Sequence, residues 1–499
     1  MLRALIKIGK WTSIIVLVFL VSLLGIRAWD SQQGDPLAPW QTFVPDELTP
    51  SQLDATDWAG YLAAEQRAFD EVKTEVTDKL EPSQRVPSNR YFAEASMYPG
   101  HFKHDWNRSY VLEPAGKPVG AVVLIHGLTD SPYSLRDIAE LYREHGFVAI
   151  GLRVPGHGTV PGSLTQVGWP DWLAATRLAM REARRRVGPD APIHMVGYSN
   201  GGALSVKYTL DACEHNELTM PTRLVLLSPM IGVTTFARFA GLAGLPAMLP
   251  RFAKAAWLDL LPEYNPYKYN SFPVNAARQS YLLTDAIHSQ ILRMARDKQL
   301  GRLPPILTFQ SVVDDTVSAS AVMRTLYANL PANNSEVVLF DVNRNHRFDS
   351  LLKPASLTAL SRMLPPGPQA YRTTVIGNVA VNDDHTVARS TDAGQTTSTA
   401  APLPILYPDN IFSLSHIALP FPPNDPLYGT EPDSSENFGI HLGTAAPRGE
   451  RGALVLNLDA VLRISSNPFY PYERQRIEAL LPAAPPPSRV DAPIAHIAN

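Results

Sequence analysis

Ser199 stands in a Gly-Tyr-Ser-Asn-Gly segment, residues 197–201, that follows the apolar run at residues 193–196 and precedes a helix-forming stretch. A serine between two glycines at a sharp strand-to-helix turn is held above a sheet, because the glycines keep side chains out of the crowded corner. The helix that follows directs its free N–H groups and its dipole at the hydroxyl. The pattern predicts that Ser199 is a nucleophile in acyl transfer.

A second apolar run, residues 121–125, ends in His126-Gly127-Leu128-Thr129. The oxyanion that develops in acyl transfer needs two fixed donors, usually the amide after the nucleophile and one from the loop after an early strand. We expect the N–H groups of Asn200 and Leu128 to form this oxyanion hole. His126 precedes the serine in the chain and is predicted to brace the loop.

These residues need a scaffold of short apolar strands that alternate with amphipathic helices, and the sequence shows that alternation from residue 119 onward. Such alternation is typical of a mostly parallel sheet with helices on both faces, an α/β fold. The predicted strands are residues 121–125, 147–152, 193–197, 224–228, 306–310 and 337–342.

With these motifs, residues 119–351 resemble the α/β-hydrolase superfamily, in particular its serine aminopeptidase-like and lysophospholipase-like members, which include carboxylesterases. The resemblance implies a triad in the order nucleophile, acid, histidine, each residue following a strand. Residues 311–317 resemble the family's G-x-x-D-x-x-V loop with serine in place of glycine. The acid is then Asp314, with Asp315 as the alternative, and it would orient the imidazole and stabilise its cation.

Two histidines are candidates for the catalytic base. His346 follows the last predicted strand with the spacing of a minimal member of the fold, but Arg344 and Arg347 would oppose the imidazolium. His416 lies in a strand-like run at residues 410–421 that ends in a proline-rich turn, in a block that resembles one found in membrane-anchored bacterial hydrolases. We prefer His416 and keep His346 as the alternative.

The N-terminus carries a targeting signal. Three cations precede an uncharged run at residues 11–26, and Arg27 closes it. We interpret residues 8–27 as an uncleaved membrane anchor, with a cleaved signal peptide as the alternative. The charge asymmetry predicts a cytoplasmic N-terminus and a catalytic domain outside, in the periplasm of a bacterial inner membrane.

Composition excludes other classes of protein. The 499 residues are 45% apolar with a net charge of −3, which gives no basic surface for nucleic acid. Cys213 is the only cysteine, so neither an intrachain disulfide nor a thiolate metal cluster is possible. We expect no cofactor and no metal, and a substrate that is an ester or a lipid-like small molecule.

The sequence predicts one α/β-hydrolase core interrupted by an insertion. The large apolar residues between 230 and 300 predict a helical cap over the strand ends that lines a substrate pocket. The C-terminal third is rich in proline, and residues 391–404 are predicted to be a solvated loop. The predicted segments are an anchor at 1–29, a linker and extension at 30–118, core at 119–229, cap at 230–300, core at 301–364, an irregular extension that completes the core at 365–481, and a proline-rich tail at 482–499.

The leading functional hypothesis is hydrolysis of carboxylic esters through an acyl-enzyme, as in lipases, lysophospholipases and carboxylesterases. An aminopeptidase that uses the same triad is a second hypothesis. A third, from another class, is a membrane-tethered binding module that has lost turnover.

Overall fold

A ten-stranded sheet forms the centre of the computed structural model, which describes residues 2–232, 244–345, 347, 351–434, 436–444, 462–463 and 465–483. The strand order is β1-β3-β2-β4-β5-β8-β9-β10-β11-β12, and β6 and β7 form a separate two-stranded sheet. The strands are β1 Tyr110–Leu112, β2 Gly120–Ile125, β3 Phe147–Leu152, β4 Ile193–Tyr198, β5 Arg223–Leu227, β6 Trp257–Asp259, β7 Phe272–Pro273, β8 Ile306–Ser311, β9 Glu336–Phe340, β10 Arg372–Asn378, β11 His385–Thr391 and β12 Ser398–Leu406.

The strands from β3 to β10 in the sheet order are parallel, while β1 and the pairs β10–β11 and β11–β12 are antiparallel. The central strands β2, β3, β4 and β8 are buried along their whole length, as strands of a parallel sheet covered on both faces should be. All six predicted strands are present. The prediction of an α/β fold with a mostly parallel sheet is confirmed.

Helices cover both faces of the sheet. The first core cluster includes side chains of α4, α6, α7 and α8 on one face, and the second includes α5 and α12 on the other. The helices are α1 Leu2–Asp30, α2 Pro39–Thr42, α3 Pro50–Ala55, α4 Trp58–Glu75, α5 Arg136–Glu144, α6 Trp169–Val187, α7 Asn200–Glu214, α8 Val274–Arg296, α9 Ala319–Ala321, α10 Pro354–Leu357, α11 Ala359–Met363 and α12 Tyr470–Glu478.

The segment predicted to be a cap, residues 230–300, differs from that prediction in its second half. α8 packs against α6 and α7, and its side chains Leu283, Ile287 and Met294 are buried in the first core cluster. An apolar stripe on a long helix can pack on the core of the domain or line a pocket, and both arrangements give the same sequence pattern. The pattern alone therefore did not distinguish a core helix from a cap helix. Residues 233–243 of the predicted cap lie outside the described residues.

The C-terminal extension contributes strands to the central sheet. β10 pairs with β9, and β11 and β12 continue the sheet beyond it. The prediction that residues 391–404 form a solvated loop is wrong for half of them, because residues 398–404 belong to β12. That strand lies at the edge of the sheet, where its exposed side chains and its prolines are tolerated.

The strand-like run at residues 410–421 is also not a strand. Its backbone forms turns, and Leu414, Ala418 and Leu419 are buried in the second core cluster. The apolar residues therefore fix a turn against the core, and His416 lies within that turn.

The N-terminal helix α1 is long and apolar enough, over Lys7–Asp30, to cross a membrane by length and composition, a test that a signal sequence near an N-terminus also passes. Its described apolar side chains Ile15, Phe19 and Ile26 are each about two-thirds exposed. An exposed apolar helix of this length is a candidate membrane anchor or signal sequence.

Candidate active site

The nucleophile turn joins β4 to α7. Ser199 lies between them with φ 54° and ψ −114°, a conformation that costs energy for a residue with a side chain and that is found in nucleophile turns of this kind. A Cβ at Gly197 would lie 2.5 Å from the carbonyl oxygen of Gly201, and a Cβ at Gly201 would overlap the carbonyl group of Ile125. Both glycines are therefore required by close backbone approach.

The loop after β2 runs directly beside the nucleophile. A Cβ at Gly127 would lie 3.3 Å from the Cβ of Ser199, and the next residue, Leu128, is half-buried. Asn200 is the buried first residue of α7, where backbone N–H groups have no acceptor within the helix. The two predicted amide donors thus flank the serine, on its own helix and on the neighbouring loop.

His126 braces this loop, as predicted. Its Nδ1 lies 2.8 Å from the carbonyl oxygen of Gly127, and its Nε2 accepts a hydrogen bond of 3.1 Å from the N–H of Val154. Burial lowers the pKa of His126 well below its ordinary value, so the ring is neutral at pH 7 and both nitrogens serve the backbone.

Asp314 and His416 form a buried pair at the carboxyl end of the sheet. The Nδ1–H of His416 donates to Oδ2 of Asp314 over 2.8 Å, and the two side chains are 4% and 0% exposed. The backbone N–H groups of Thr316 and Val317 donate to Oδ1 of the same carboxylate over 2.9 and 3.1 Å, and the Gln310 amide donates to Oδ2 over 3.0 Å.

The electrostatics of the pair keep the carboxylate ionised. Burial raises the pKa of Asp314, but the charge and the hydrogen bond of His416, with the two backbone donors, bring it below its ordinary value. An ionised carboxylate bound to Nδ1 fixes the imidazole tautomer with Nε2 as the acceptor. Within the described residues, Nε2 of His416 and Oγ of Ser199 make no hydrogen bond.

Tyr198 connects the imidazole to the nucleophile turn. Its ring packs on the ring of His416 with centroids 5.3 Å apart, and its hydroxyl donates to the His416 carbonyl oxygen over 3.3 Å. Since Tyr198 immediately precedes Ser199, the turn that carries the histidine is held beside the nucleophile. This role of Tyr198 was not predicted, although an aromatic residue at the second position of the motif was its signal.

The alternative acid is Asp315, and the alternative base is His346. Asp315 is exposed, in contrast to the buried carboxylate of Asp314. His346 lies outside the described residues. The structure therefore pairs Asp314 with His416 beside Tyr198, the residue before Ser199. It does not test a role for His346.

Two charged residues at the loop after β2, Asp130 and Lys268, were not predicted. Asp130 is buried, and burial raises its pKa to about 6 against the opposing effects of Lys268 and His416. Burial lowers the pKa of Lys268, which the Asp130 charge partly offsets. The position of Asp130 could have identified it, since it comes three residues after Gly127 in the loop that follows β2.

Other potential sites do not coincide with this cluster. The described residues contain no group of three or more His, Cys, Asp or Glu side chains that could hold a metal ion. A cavity of about 610 Å³ lies between β10, β11 and residues 364–369, and neither Ser199 nor His416 lines it.

The comparison with known families agrees with this architecture. Residues 116–342 match the family model described as Hydrolase_4, serine aminopeptidase S33. The chain has the α/β-hydrolase fold. The matched hydrolase segment contains the β2 loop, the nucleophile turn and the Asp314 loop, and it ends before His416, which the C-terminal extension supplies.

Similar proteins include several lipolytic enzymes. The chain is 29% identical over 163 residues to the thermostable monoacylglycerol lipase of Bacillus sp. strain H-257, which covers 32% of this chain and 60% of that protein. Similar solved structures include a metagenome-derived lipolytic enzyme, with 20% identity, a TM-score of 0.37 and coverage of 48% of this chain and 88% of the other. Another is the monoacylglycerol lipase of Paleococcus ferrophilus, with 17% identity, a TM-score of 0.35 and coverage of 47% and 88%.

Proposed function

We propose that this chain is a membrane-tethered serine hydrolase that cleaves carboxylic esters through Ser199, His416 and Asp314. The observation that carries the proposal is the buried 2.8 Å hydrogen bond between His416 and Asp314, in a turn that Tyr198 holds against the nucleophile. Burying an ionised carboxylate is costly unless it is hydrogen-bonded, so a buried carboxylate bound to an imidazole beside a strained serine favours a catalytic use.

The reaction would follow the serine hydrolase sequence. The His416 Nε2 takes the proton of Ser199 while Oγ attacks the ester carbonyl carbon, and the imidazolium is stabilised by Asp314. The amides of Asn200 and Leu128 bind the oxyanion, and the imidazolium then protonates the leaving alkoxide, which leaves an acyl-enzyme. Water, deprotonated by the same imidazole, attacks the acyl-enzyme and releases the carboxylic acid.

An ester substrate is favoured by the named relative. The Bacillus protein that matches 163 residues of the chain is a monoacylglycerol lipase, and a monoacylglycerol is a carboxylic ester. A serine, a carboxylate and an imidazole suffice for ester hydrolysis, so the mechanism uses no cofactor. We infer that the substrate is a lipid-like ester of appreciable acyl length.

The membrane tether would be α1. Its uncharged run at residues 11–26 is preceded by three cations and followed by Arg27. That asymmetry favours an N-terminus in the cytoplasm and a catalytic domain on the outer face of a bacterial inner membrane. The exposed apolar side chains of α1 support an anchor in a bilayer.

The test uses the full-length chain in detergent or nanodiscs with p-nitrophenyl esters from acetate to laurate. Turnover should rise with acyl length and fall by at least about 10³-fold in Ser199→Ala, because the nucleophile is lost. Ser361→Ala, an exposed serine on α11, is the matched control. An enzyme inert on every chain length, and unlabelled at Ser199 by a fluorophosphonate, would refute the proposal.

A peptidase is the second candidate, since the matching family model is described as a serine aminopeptidase. A free substrate amine needs a carboxylate, and Asp130 lies beside the oxyanion loop. Cleavage of aminoacyl p-nitroanilides faster than the matched esters, with loss of that preference in Asp130→Asn, would favour the peptidase. Preference for the esters would favour the esterase.

A further inference from the structure

The C-terminal end of α1 lies against residues 244–260, here named the interfacial segment. The Arg27 guanidinium donates to the Trp257 carbonyl oxygen. The Gln32 amide donates to the Arg251 carbonyl oxygen over 2.6 Å, and the Arg251 guanidinium donates back to Gln32 over 3.3 Å. The segment is therefore fixed at the end of the apolar helix.

The interfacial segment exposes large apolar side chains at this position. Met248 is 80% exposed, Leu249 60% and Leu245 43%, while Leu258 and Leu260 are each nearly 40% exposed. Single exposed apolar residues are ordinary on a protein surface, but several on one short segment mark an interaction site.

The position of Arg27 sets the height of this segment relative to a bilayer. The uncharged run at residues 11–26 rises about 24 Å at about 1.5 Å per residue, slightly less than a hydrocarbon core of roughly 30 Å, and the flanking cations can reach the headgroups. A cation that ends such a run lies in the headgroup layer. Because Arg27 binds the carbonyl group of Trp257, the interfacial segment lies at the same level.

The charge of the segment matches a lipid surface. Residues 244–260 contain two cations, Arg251 and Lys254, and one acidic residue, Asp259, so the segment carries a net positive charge. Basic residues next to a membrane helix are attracted to anionic headgroups, while neighbouring apolar side chains enter the acyl boundary. This combination favours a bilayer over a protein as the occupant of the exposed apolar surface.

The same stretch of chain continues to the catalytic site. Eleven residues after Leu258, the N–H of Tyr269 donates to the carbonyl oxygen of Thr129 over 2.7 Å, next to the oxyanion donor Leu128. We propose that the interfacial segment is seated in the surface of an anionic bilayer and that the site takes its ester from that bilayer, an inference that rests on the tether and the ester hydrolysis proposed above.

Fluorescence of the full-length chain in vesicles of phosphatidylethanolamine and phosphatidylglycerol tests the position. An environment-sensitive label is attached through Met248→Cys in a Cys213→Ala background, and through Val381→Cys as the control, since Val381 is 64% exposed in the turn between β10 and β11. The label at 248 should emit at shorter wavelength and be quenched by lipids that carry a nitroxide. Equal emission at both positions without quenching would overturn the proposal.

Kinetics test the delivery of substrate. In the double variant Met248→Glu with Leu249→Glu, hydrolysis of a monoacyl ester embedded in the vesicles should fall at least about tenfold, since burial of two apolar side chains is worth more than that factor. Hydrolysis of soluble p-nitrophenyl acetate should stay within about twofold, because neither residue contacts the reacting groups. Unchanged hydrolysis of the embedded ester would overturn the proposal. If the unmodified chain hydrolyses neither ester, the esterase function fails, and the quenching result alone decides the membrane position.

Discussion

Gly197→Ala should disable the site while leaving the triad residues intact. The added Cβ would lie 2.5 Å from the Gly201 carbonyl oxygen and 2.6 Å from the Gly202 Cα and nitrogen, about 0.9 Å short of the 3.4 Å of an ordinary contact. Those atoms belong to the backbone of the first turn of α7 and cannot rotate away. The turn must shift by a large part of that distance, and it carries Ser199 and the Asn200 amide.

The expected loss of rate follows from the displacement of the nucleophile turn. A misplacement of about 1 Å in a catalytic group costs on the order of 10²-fold in rate. Overpacking in a buried region costs roughly 1–3 kcal/mol of unfolding free energy, and backbone contact places this variant at about 3. We therefore expect kcat/KM on p-nitrophenyl butyrate to fall about 100-fold, with a lower melting temperature.

The matched control is Gly301→Ala, because a Cβ at Gly301 would meet no atom within 4 Å. That variant should retain both kcat/KM and melting temperature. Equal kcat/KM for Gly197→Ala and Gly301→Ala would refute the argument that close backbone approach fixes the nucleophile.

Three further substitutions test the surroundings of the site. Asp314→Asn should lower kcat by roughly 10³–10⁴-fold in steady-state assays, because His416 would lose its orienting carboxylate; a loss below about tenfold would contradict the role. Burial raises the pKa of Asp130 to about 6, above its ordinary 3.8. Between about pH 4 and 6 the folded protein therefore binds more protons than the unfolded chain, and the free energy of unfolding falls as the pH rises through that window. Asp130→Asn should remove that fall, about 3 kcal/mol, in urea unfolding measured across pH 4–7; an unchanged pH slope would contradict it. Asp425→Asn should destabilise the fold by about 3 kcal/mol in the same assay, because the buried guanidinium of Arg136 would lose its 2.8 Å carboxylate partner; unchanged stability would contradict that reasoning.

The nucleophile turn and the parallel strands could be predicted because their signals are local. The apolar run, the glycines and the helix that surround Ser199 are contiguous, and each has one physical interpretation at that spacing. The loop of Asp314 follows its strand by a few residues and was equally accessible.

His416 was harder to predict than the nucleophile, because its position depends on contacts between residues that are far apart in the chain. The pair His416–Asp314 spans 102 residues. Between them the chain adds β10, β11 and β12, of which β12 has the composition of a loop and becomes a strand only by pairing at the edge of the sheet. Local propensity is overridden by such pairing.

The measurement that tests the account most directly compares His416→Ala with His346→Ala in the full-length chain, using turnover of one ester and the rate of fluorophosphonate labelling at Ser199. The account predicts that His416→Ala lowers both by at least about 10³-fold while His346→Ala stays within about tenfold of the unmodified chain. The reverse result, with His346 required and His416 dispensable, would contradict it.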